Sequence, residues 1–145
     1  LTASALTVNG TAAGRSILFE DGFLVRIGTF TAVAGGYNVD IRSSEFVVVN
    51  DTNFLNTGSL TLGNHATDSL TFAGGLGAVS QSAITLVGSA SAIGSGNPLE
   101  FLSPNTPTAP TGAGIVNGSS LGGVAGGIAR LDFGGNMNYT TTNFT

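Results

Sequence analysis

A four-residue pattern recurs along the chain: a small residue, a branched aliphatic residue, threonine and then a large apolar residue. On a strand, side chains alternate between the two faces, so the two apolar residues share one face and threonine lies on the other. Threonine also suits a pleated, half-exposed surface. Two related segments have a carboxylate in place of threonine. The six segments expected to form strands are Ala5-Leu6-Thr7-Val8, Ser59-Leu60-Thr61-Leu62, Ser69-Leu70-Thr71-Phe72, Ala83-Ile84-Thr85-Leu86, Leu99-Glu100-Phe101 and Leu131-Asp132-Phe133.

Nothing in the sequence has the apolar spacing and caps of an amphipathic helix, so the pattern predicts an all-β fold. Glycine pairs separate several strands, and Gly35-Gly36 and Gly134-Gly135 are typical of hairpins because tight turns need positive φ. These signals favour an antiparallel β-sandwich of jelly-roll type, which a strand from a neighbouring subunit could complete. The spacing of the successive motif centres Thr61, Thr71, Thr85 and Glu100 also fits the alternative, a segment of parallel β-helix.

Charge is scarce: only 12 of the 145 residues carry a formal charge, and none of them is lysine. A soluble domain is usually about 25% charged, and lysine is a common protection of exposed sheet edges. With 41% apolar residues, the surface is expected to be covered by copies of the same chain, by glycans or by both. The net charge of −4 argues against a nucleic-acid partner, and no apolar run is long enough to span a membrane.

The length fits a single domain. Residues 1–14 are interpreted as an N-terminal strand with a glycine-rich hinge, and residues 15–145 as one all-β domain with a Gly/Pro-rich loop at about 102–127. Leu6 and Val8 make the first segment a candidate donor strand, because they could fill the core of a neighbouring subunit. The competing interpretation is an ordinary first strand of the chain's own sheet. A start at Leu1 rather than at methionine indicates a cleaved leader and export.

Candidate catalytic residues are few. His65 is the only histidine and lies near Asp68, but its segment has the composition of a turn and no Gly-x-Ser-x-Gly motif occurs. Glu20-Asp21 also has turn composition, and Asn50-Asp51-Thr52-Asn53 offers oxygen ligands without the full calcium-loop signature. Cysteine is absent. The sequence therefore predicts no enzyme activity, no metal site and no cofactor.

N-glycosylation sequons are more frequent than the composition alone predicts. Glycans would keep a surface with so little charge in solution, and they would require an extracellular location. The five candidate asparagines are Asn9, Asn50, Asn117, Asn138 and Asn143.

The stretch GSLTLGNHATDSLTFAGGL at 58–76 resembles the repeats of large secreted β-strand-repeat surface proteins, including filamentous-haemagglutinin-like adhesins. The resemblance extends loosely over residues 37–101 and implies an exported, non-enzymatic protein with a parallel β-helix. The composition and the N-terminal pattern also resemble subunits of extracellular pili and matrix filaments, in which a terminal strand completes the sheet of the next subunit.

These features together predict a structural subunit of an extracellular filament or pilus. Such a subunit would have copies of itself as partners and would polymerise head to tail by β-strand addition. The alternative is a fragment of a secreted β-helical adhesin that binds a surface or host ligand.

Overall fold

The computed structural model of the chain describes residues 1–10, 12–78, 80–87, 89–92 and 99–101, and beyond them the backbone of six short strands between residues 105 and 139. The described residues form a parallel β-solenoid without helices. All strand pairs but one are parallel, and each parallel pair joins strands that are not consecutive along the chain. The chain therefore winds through successive turns that stack on one another.

The strands are short and are numbered in chain order. They are β1 (Thr2–Val8), β2 (Ser16–Phe19), β3 (Leu24–Gly35), β4 (Asn38–Ile41), β5 (Glu45–Val48), β6 (Thr52–Asn56), β7 (Ser59–Leu62), β8 (Ser69–Phe72), β9 (Leu76–Ala78), β10 (Ala83–Leu86), β11 (Ser89–Ala92), β12 (Leu99–Phe101), β13 (Asn105–Thr106), β14 (Ala109–Pro110), β15 (Ala113–Val116), β16 (Ser120–Gly123), β17 (Leu131–Phe133) and β18 (Met137–Tyr139).

The solenoid has three faces. A 10-stranded sheet forms two of them: the first face contains β5, β8, β11 and β16, and the second contains β6, β9, β12 and β17. The longer strands β1 and β3 run along both of these faces, since β3 pairs with β5 through its first half and with β6 through its second. The third face is a 6-stranded sheet in the order β18-β15-β10-β7-β4-β2. β13 and β14 form a separate antiparallel hairpin.

Equivalent side chains stack from turn to turn because the ladders stay in register. On the third face Val39 pairs with Leu60, which pairs with Ile84, and all three are buried. One turn of the solenoid therefore runs from Val39 to Leu60, and the next runs from Leu60 to Ile84. The alternate positions hold Thr61 and Thr85, which also pair but are only half-buried. The recurring pattern thus places aliphatic residues in the core and threonine on the outside.

Aromatic rings fill the core of the earlier turns. Phe30, Phe46, Phe54 and Phe72 are buried, and Phe19 packs against them from the first turn. Neighbouring ring centroids are 5.3–6.2 Å apart in tilted or edge-to-face arrangements. Such pairs contribute about 0.5–1.5 kcal/mol each beyond the burial of their area.

Buried polar side chains fill the corner between the second and third faces. Tyr37 is buried and donates its hydroxyl to the carbonyl oxygen of Val8 at 3.1 Å. Asn56 donates from Nδ2 to the carbonyl oxygen of Tyr37 at 3.1 Å, and Gln81 donates from Nε2 to that of Asn56 at 2.8 Å. These side chains supply donors to buried backbone carbonyls, which need hydrogen-bond partners.

The predicted antiparallel sandwich is wrong, and the alternative parallel β-helix is confirmed. Gly35-Gly36 does not close a hairpin, because β3 and β4 lie on different faces and each pairs with strands of other turns. The strands on either side of Gly134-Gly135, β17 and β18, also belong to different sheets, while the two glycines lie outside the described residues. The six predicted strand segments are all confirmed as strands.

The predicted domain elements have definite places in the solenoid. β1, the candidate donor strand, lies on β3 of the same chain. Within the stretch 102–127 the structure describes β13, β14, β15 and β16, and β15 and β16 continue the third and first faces. The other residues of that stretch lie outside the described part. The turn that contains the β13–β14 hairpin runs from Ala83 to Ala113, and it is longer than the two turns before it on this face.

Candidate assembly site at the N-terminal end

β1 and β2 make up the first turn, and their outer edges are open. β1 pairs with β3, β2 pairs with β4, and no other strand among the described residues pairs with either. Natural proteins protect such edges with lysine, other charged residues or proline. The sequences of β1 and β2, TASALTV and SILF, contain none of these. The backbone groups along both edges can therefore accept a further strand.

Large apolar side chains surround these open edges. Leu1 is 57% exposed, Leu18 39%, Phe23 61% and Leu24 58%. All four belong to the first turn or to the start of β3. Exposed apolar residues that cluster in this way mark interaction surfaces more often than single exposed residues do. We refer to these four side chains, with the outer edges of β1 and β2, as the N-terminal end surface.

The core is also incompletely covered at this end. Leu6 of β1 is half-buried, whereas Phe30, its partner on β3, is buried. Ile17 of β2 is half-buried, whereas its partner Val39 on β4 is buried. A further turn stacked on β1 and β2 would complete the burial of both side chains.

A groove of about 240 Å³ opens on the N-terminal end surface. It is much larger than the volume of about 10–15 Å³ that a cavity needs to hold one water molecule. It lies between β2 and the start of β3, and its lining residues are Leu1, Leu18, Phe19, Glu20, Phe23 and Val25. Because Glu20 has the only charged side chain in this lining, the groove suits a bulky apolar side chain better than a polar ligand.

The structure places both candidate strand-exchange residues in the chain's own sheet. Leu6 pairs with Phe30, and Val8 pairs with Ala32 and is buried. The strand is also held at its start, since the Leu1 ammonium donates to the carbonyl oxygen of Leu24 at 2.7 Å. Exchange of β1 between subunits stays a prediction.

Two of the candidate glycosylation sites lie at the described surface. Asn9 and Asn50 are exposed, and Asn50 donates from Nδ2 to Thr29 Oγ1 at 2.9 Å. Asn138 lies in β18. Asn117 and Asn143 lie outside the described residues.

The segment that contains His65 is a corner between the third and first faces. Asp68 is buried, and its Oδ2 accepts the backbone N–H groups of Asn64 at 2.8 Å and of His65 at 2.9 Å. The side chain of His65 is exposed. The Asp68 carboxylate thus fixes the backbone of the corner. Its contact with His65 is to the backbone N–H group.

Two of the other candidate carboxylates, Asp21 and Asp51, bond to asparagine side chains. Asp21 accepts from Nδ2 of Asn64 at 2.9 Å, and Asp51 accepts from Nδ2 of Asn53 at 2.9 Å. Within the described ranges, no group of three or more histidine, aspartate or glutamate side chains is placed to hold a metal ion.

An ion pair lies between the third face and its corner. Arg42 donates from Nη2 to Oδ2 of Asp40 at 2.8 Å, and this hydrogen bond, followed by the charge of Asp40, raises the pKa of Arg42 above its ordinary value. The guanidinium group remains charged at every pH at which the protein is handled.

Sequence reasoning missed Leu18, Phe23 and Leu24 as site residues. The available signal was a pair of bulky apolar residues, Phe23-Leu24, directly after the turn residue Gly22. In the part of the chain that the structure describes, no helix is long and apolar enough to cross a membrane. No known family model, curated protein or solved structure matches the chain.

Proposed function

We propose that the chain is a non-enzymatic structural subunit of an extracellular filament or pilus. The observation that carries this proposal is the set of parallel ladders that runs through the described turns on all three faces. In a solenoid each turn contacts only its neighbours, so additional turns add length without changing the cross-section. Such an architecture is suited to building a rod.

The outer surface of the rod supports the same proposal. On the first face Ser69 pairs with Ser89 and Thr71 with Ser91, and the Thr71 and Ser91 hydroxyls are 3.4 Å apart. These two pairs carry hydroxyl groups, and the charge of Glu45, which precedes Ser69 in the same ladder, is paired with Arg26. A surface of this kind lets neighbouring copies pack side by side without the repulsion that like charges would cause.

The extracellular part of the proposal is supported by the exposed sequons. Asn9 and Asn50 are accessible at the described surface. A glycan at either position would add a hydrated group to a chain with few charges. Accessible sequons and a low charge content together favour a location outside the cell.

A second candidate function is a segment of a β-helical adhesin. The paired hydroxyl columns favour it, because they repeat the same chemical group at the spacing of adjacent strands, about 4.7–4.9 Å. Thr61 and Thr85 make a similar column on the third face. A repeating surface of this kind suits a repeating ligand such as a polysaccharide.

Antibody labelling of cells that make the protein tests these proposals. Gold-labelled antibody on intact cells, viewed by negative-stain microscopy, is expected to decorate uniform filaments along their length. Label on isolated rods would favour the adhesin instead. Label that appears only after the cells are permeabilised would overturn both extracellular functions.

A further inference from the structure

We propose that the sequon at Asn50 accepts a glycan only before the turn that contains it has folded, so that this modification belongs to the unfolded chain. The inference rests on the extracellular location proposed above, and it adds the order in which folding and modification occur. It concerns the corner between the first and second faces, where residues 49–51 join β5 to β6.

The two side chains that define the sequon differ in exposure. A sequon consists of the asparagine and of a hydroxyl residue two positions further on. Asn50 is exposed, whereas Thr52 is 0% exposed because it faces the core at the first position of β6. The Thr52 hydroxyl also donates to the carbonyl oxygen of Asn50 at 3.3 Å. An enzyme that binds the folded surface therefore reaches the asparagine but not the threonine.

The turn before this corner holds the asparagine. The backbone N–H of Asn50 donates to the carbonyl oxygen of Gly28 at 2.9 Å, and Nδ2 of Asn50 donates to Thr29 Oγ1 at 2.9 Å. The nitrogen that a glycosyltransferase must receive is thus engaged in a hydrogen bond of the folded corner. Its entry into an active site requires this bond to break.

The turn after this corner covers the rest of the sequon. The backbone N–H of Thr52 donates to the carbonyl oxygen of Gly75 at 3.2 Å. Gly74 packs against the sequon so closely that an added Cβ would collide with the backbone nitrogen of Asp51. β6 itself pairs with β3 on one side and with β9 on the other. Thr52 therefore becomes accessible only where the solenoid has opened locally or has not yet formed.

The transfer itself needs a glycosyl donor, an oligosaccharide linked to a polyprenyl diphosphate. Nδ2 of Asn50 forms a bond to the anomeric carbon, and the bond between that carbon and the diphosphate oxygen breaks. Nδ2 loses one proton to solvent, and the diphosphate leaves with the electron pair. The modified amide keeps one N–H group. After folding, this group can again donate to Thr29, and the glycan projects from an exposed position.

Transfer in vitro compares the folded chain with an unfolded acceptor. The purified, unmodified full chain and a peptide of residues 46–56 are each given the lipid-linked donor and an oligosaccharyltransferase that requires only Asn-X-Ser/Thr. Glycopeptide mass spectrometry measures occupancy at Asn50. The peptide is expected to be modified, and the folded wild type should react about a hundredfold more slowly or less, because only its open fraction reacts. Equal initial rates would overturn the inference. A peptide that is not modified would also overturn it, because Asn50 would then not be an acceptor.

A destabilised variant tests whether opening of β6 limits the reaction. Gln81 donates from Nε2 to the carbonyl oxygen of Phe54 in β6, so Gln81→Leu should raise the population in which β6 is open. The rate follows that population, and we expect an increase of about tenfold. Ser82→Ala, at an exposed neighbouring position, is the matched control and should react like the wild type. A Gln81→Leu chain that does not fold should react like the peptide, and one that reacts no faster than the wild type would overturn the inference.

The outcome is separate from that of the proposed function. Antibody label found only inside cells would overturn the extracellular function and leave the order of folding and transfer in vitro unaffected. Transfer to the folded wild type at the rate of the peptide would overturn this order and leave the surface labelling of filaments unaffected.

Discussion

The side-chain amide of Gln81 donates to the backbone carbonyl of Asn56, one turn earlier, at 2.8 Å, and both residues are buried. The same Nε2 group donates to the carbonyl oxygen of Phe54, also at 2.8 Å. This amide therefore joins consecutive turns at the corner where the second face meets the third.

Replacement of Gln81 should destabilise the fold. Gln81→Leu removes the donor and leaves the carbonyl oxygens of Phe54 and Asn56 buried without it, at a cost of about 1–3 kcal/mol for each group. Urea unfolding measures the loss as a lower midpoint. The control is Ser82→Ala at an exposed neighbouring position, where a change within about 0.5 kcal/mol is expected. Equal midpoints for the two variants would contradict this account.

Asp68 and His65 should differ sharply in their effect on stability. Asp68→Ala removes the carboxylate that accepts two backbone N–H groups, and bonds to a charged group contribute about 1.5–3 kcal/mol each. His65→Gln keeps the backbone amide and changes only an exposed side chain, so we expect almost no change. Thermal unfolding of both variants tests the contrast. A large loss for His65→Gln would show that the imidazole has a role of its own.

Alanine substitutions at two glycines allow the cost of backbone strain and the cost of a steric collision to be measured separately. Gly22 and Gly63 both have positive φ, +80° and +82°. An alanine side chain at Gly22 would meet nothing within 4 Å, so Gly22→Ala should cost only the strain of about 1–2 kcal/mol. At Gly63 the added carbon would collide with the carbonyl oxygen of Val87, which adds about 1–3 kcal/mol. Equal decreases in the denaturant midpoint for Gly22→Ala and Gly63→Ala would show that the structure around Gly63 shifts and removes the collision.

Alkaline pH should weaken the fold through Tyr37. Burial raises the pKa of Tyr37 above its ordinary value of 10.0, and its single hydroxyl proton is shared between the carbonyl oxygens of Val33 at 2.6 Å and Val8 at 3.1 Å. The neutral form is thus favoured in the folded state. The contribution of Tyr37 to the free energy of unfolding is complete below pH 10.0. It is lost as the pH rises through the higher pKa that Tyr37 has in the folded protein.

Unfolding curves at about pH 8 and about pH 11 measure this contribution. Tyr37→Phe should be less stable than the wild type at the lower pH, because the shared hydrogen bond of the hydroxyl is lost, at about 0.5–1.5 kcal/mol. It should also lose less stability on going to the higher pH. An identical pH dependence in the two proteins would exclude Tyr37 as the cause.

Native material should carry glycan at Asn9 or Asn50. Intact mass spectrometry is expected to give a mass above the 14.4 kDa of the polypeptide. Asn9→Gln and Asn50→Gln, expressed in the same cells, should each remove a discrete part of the excess. A native mass equal to that of the bare chain would rule out modification.

The sequence was sufficient to predict where strands lie because alternation is a local property. Ser59-Leu60-Thr61-Leu62 forms β7 as the pattern indicated, with both leucines buried. The partner of each strand is not a local property. Gly35-Gly36 suits a corner between faces as well as it suits a hairpin, since both need a sharp change of direction. The antiparallel prediction failed at that step.

The N-terminal end surface could not be predicted for a related reason. Ile17 alternates with Leu18 like a residue of any strand and faces the core, and it is only half-buried because none of the described turns covers β2. Which strand lies at an edge depends on how all the turns stack. The candidate donor strand was recognised from Leu6 and Val8, but its pairing with β3 depends on residues far along the chain.

The pairing of β1 with β3 also has a consequence for how the chain reaches this structure. Thr2 and Arg26 are partners, so the whole segment between them must close into a loop before the first parallel ladder forms. Closure of such loops makes the initial step slow. Once two turns are joined, they offer a formed edge to the residues that follow, and later turns can add to it one at a time. Folding is therefore expected to show a lag followed by rapid propagation along the chain.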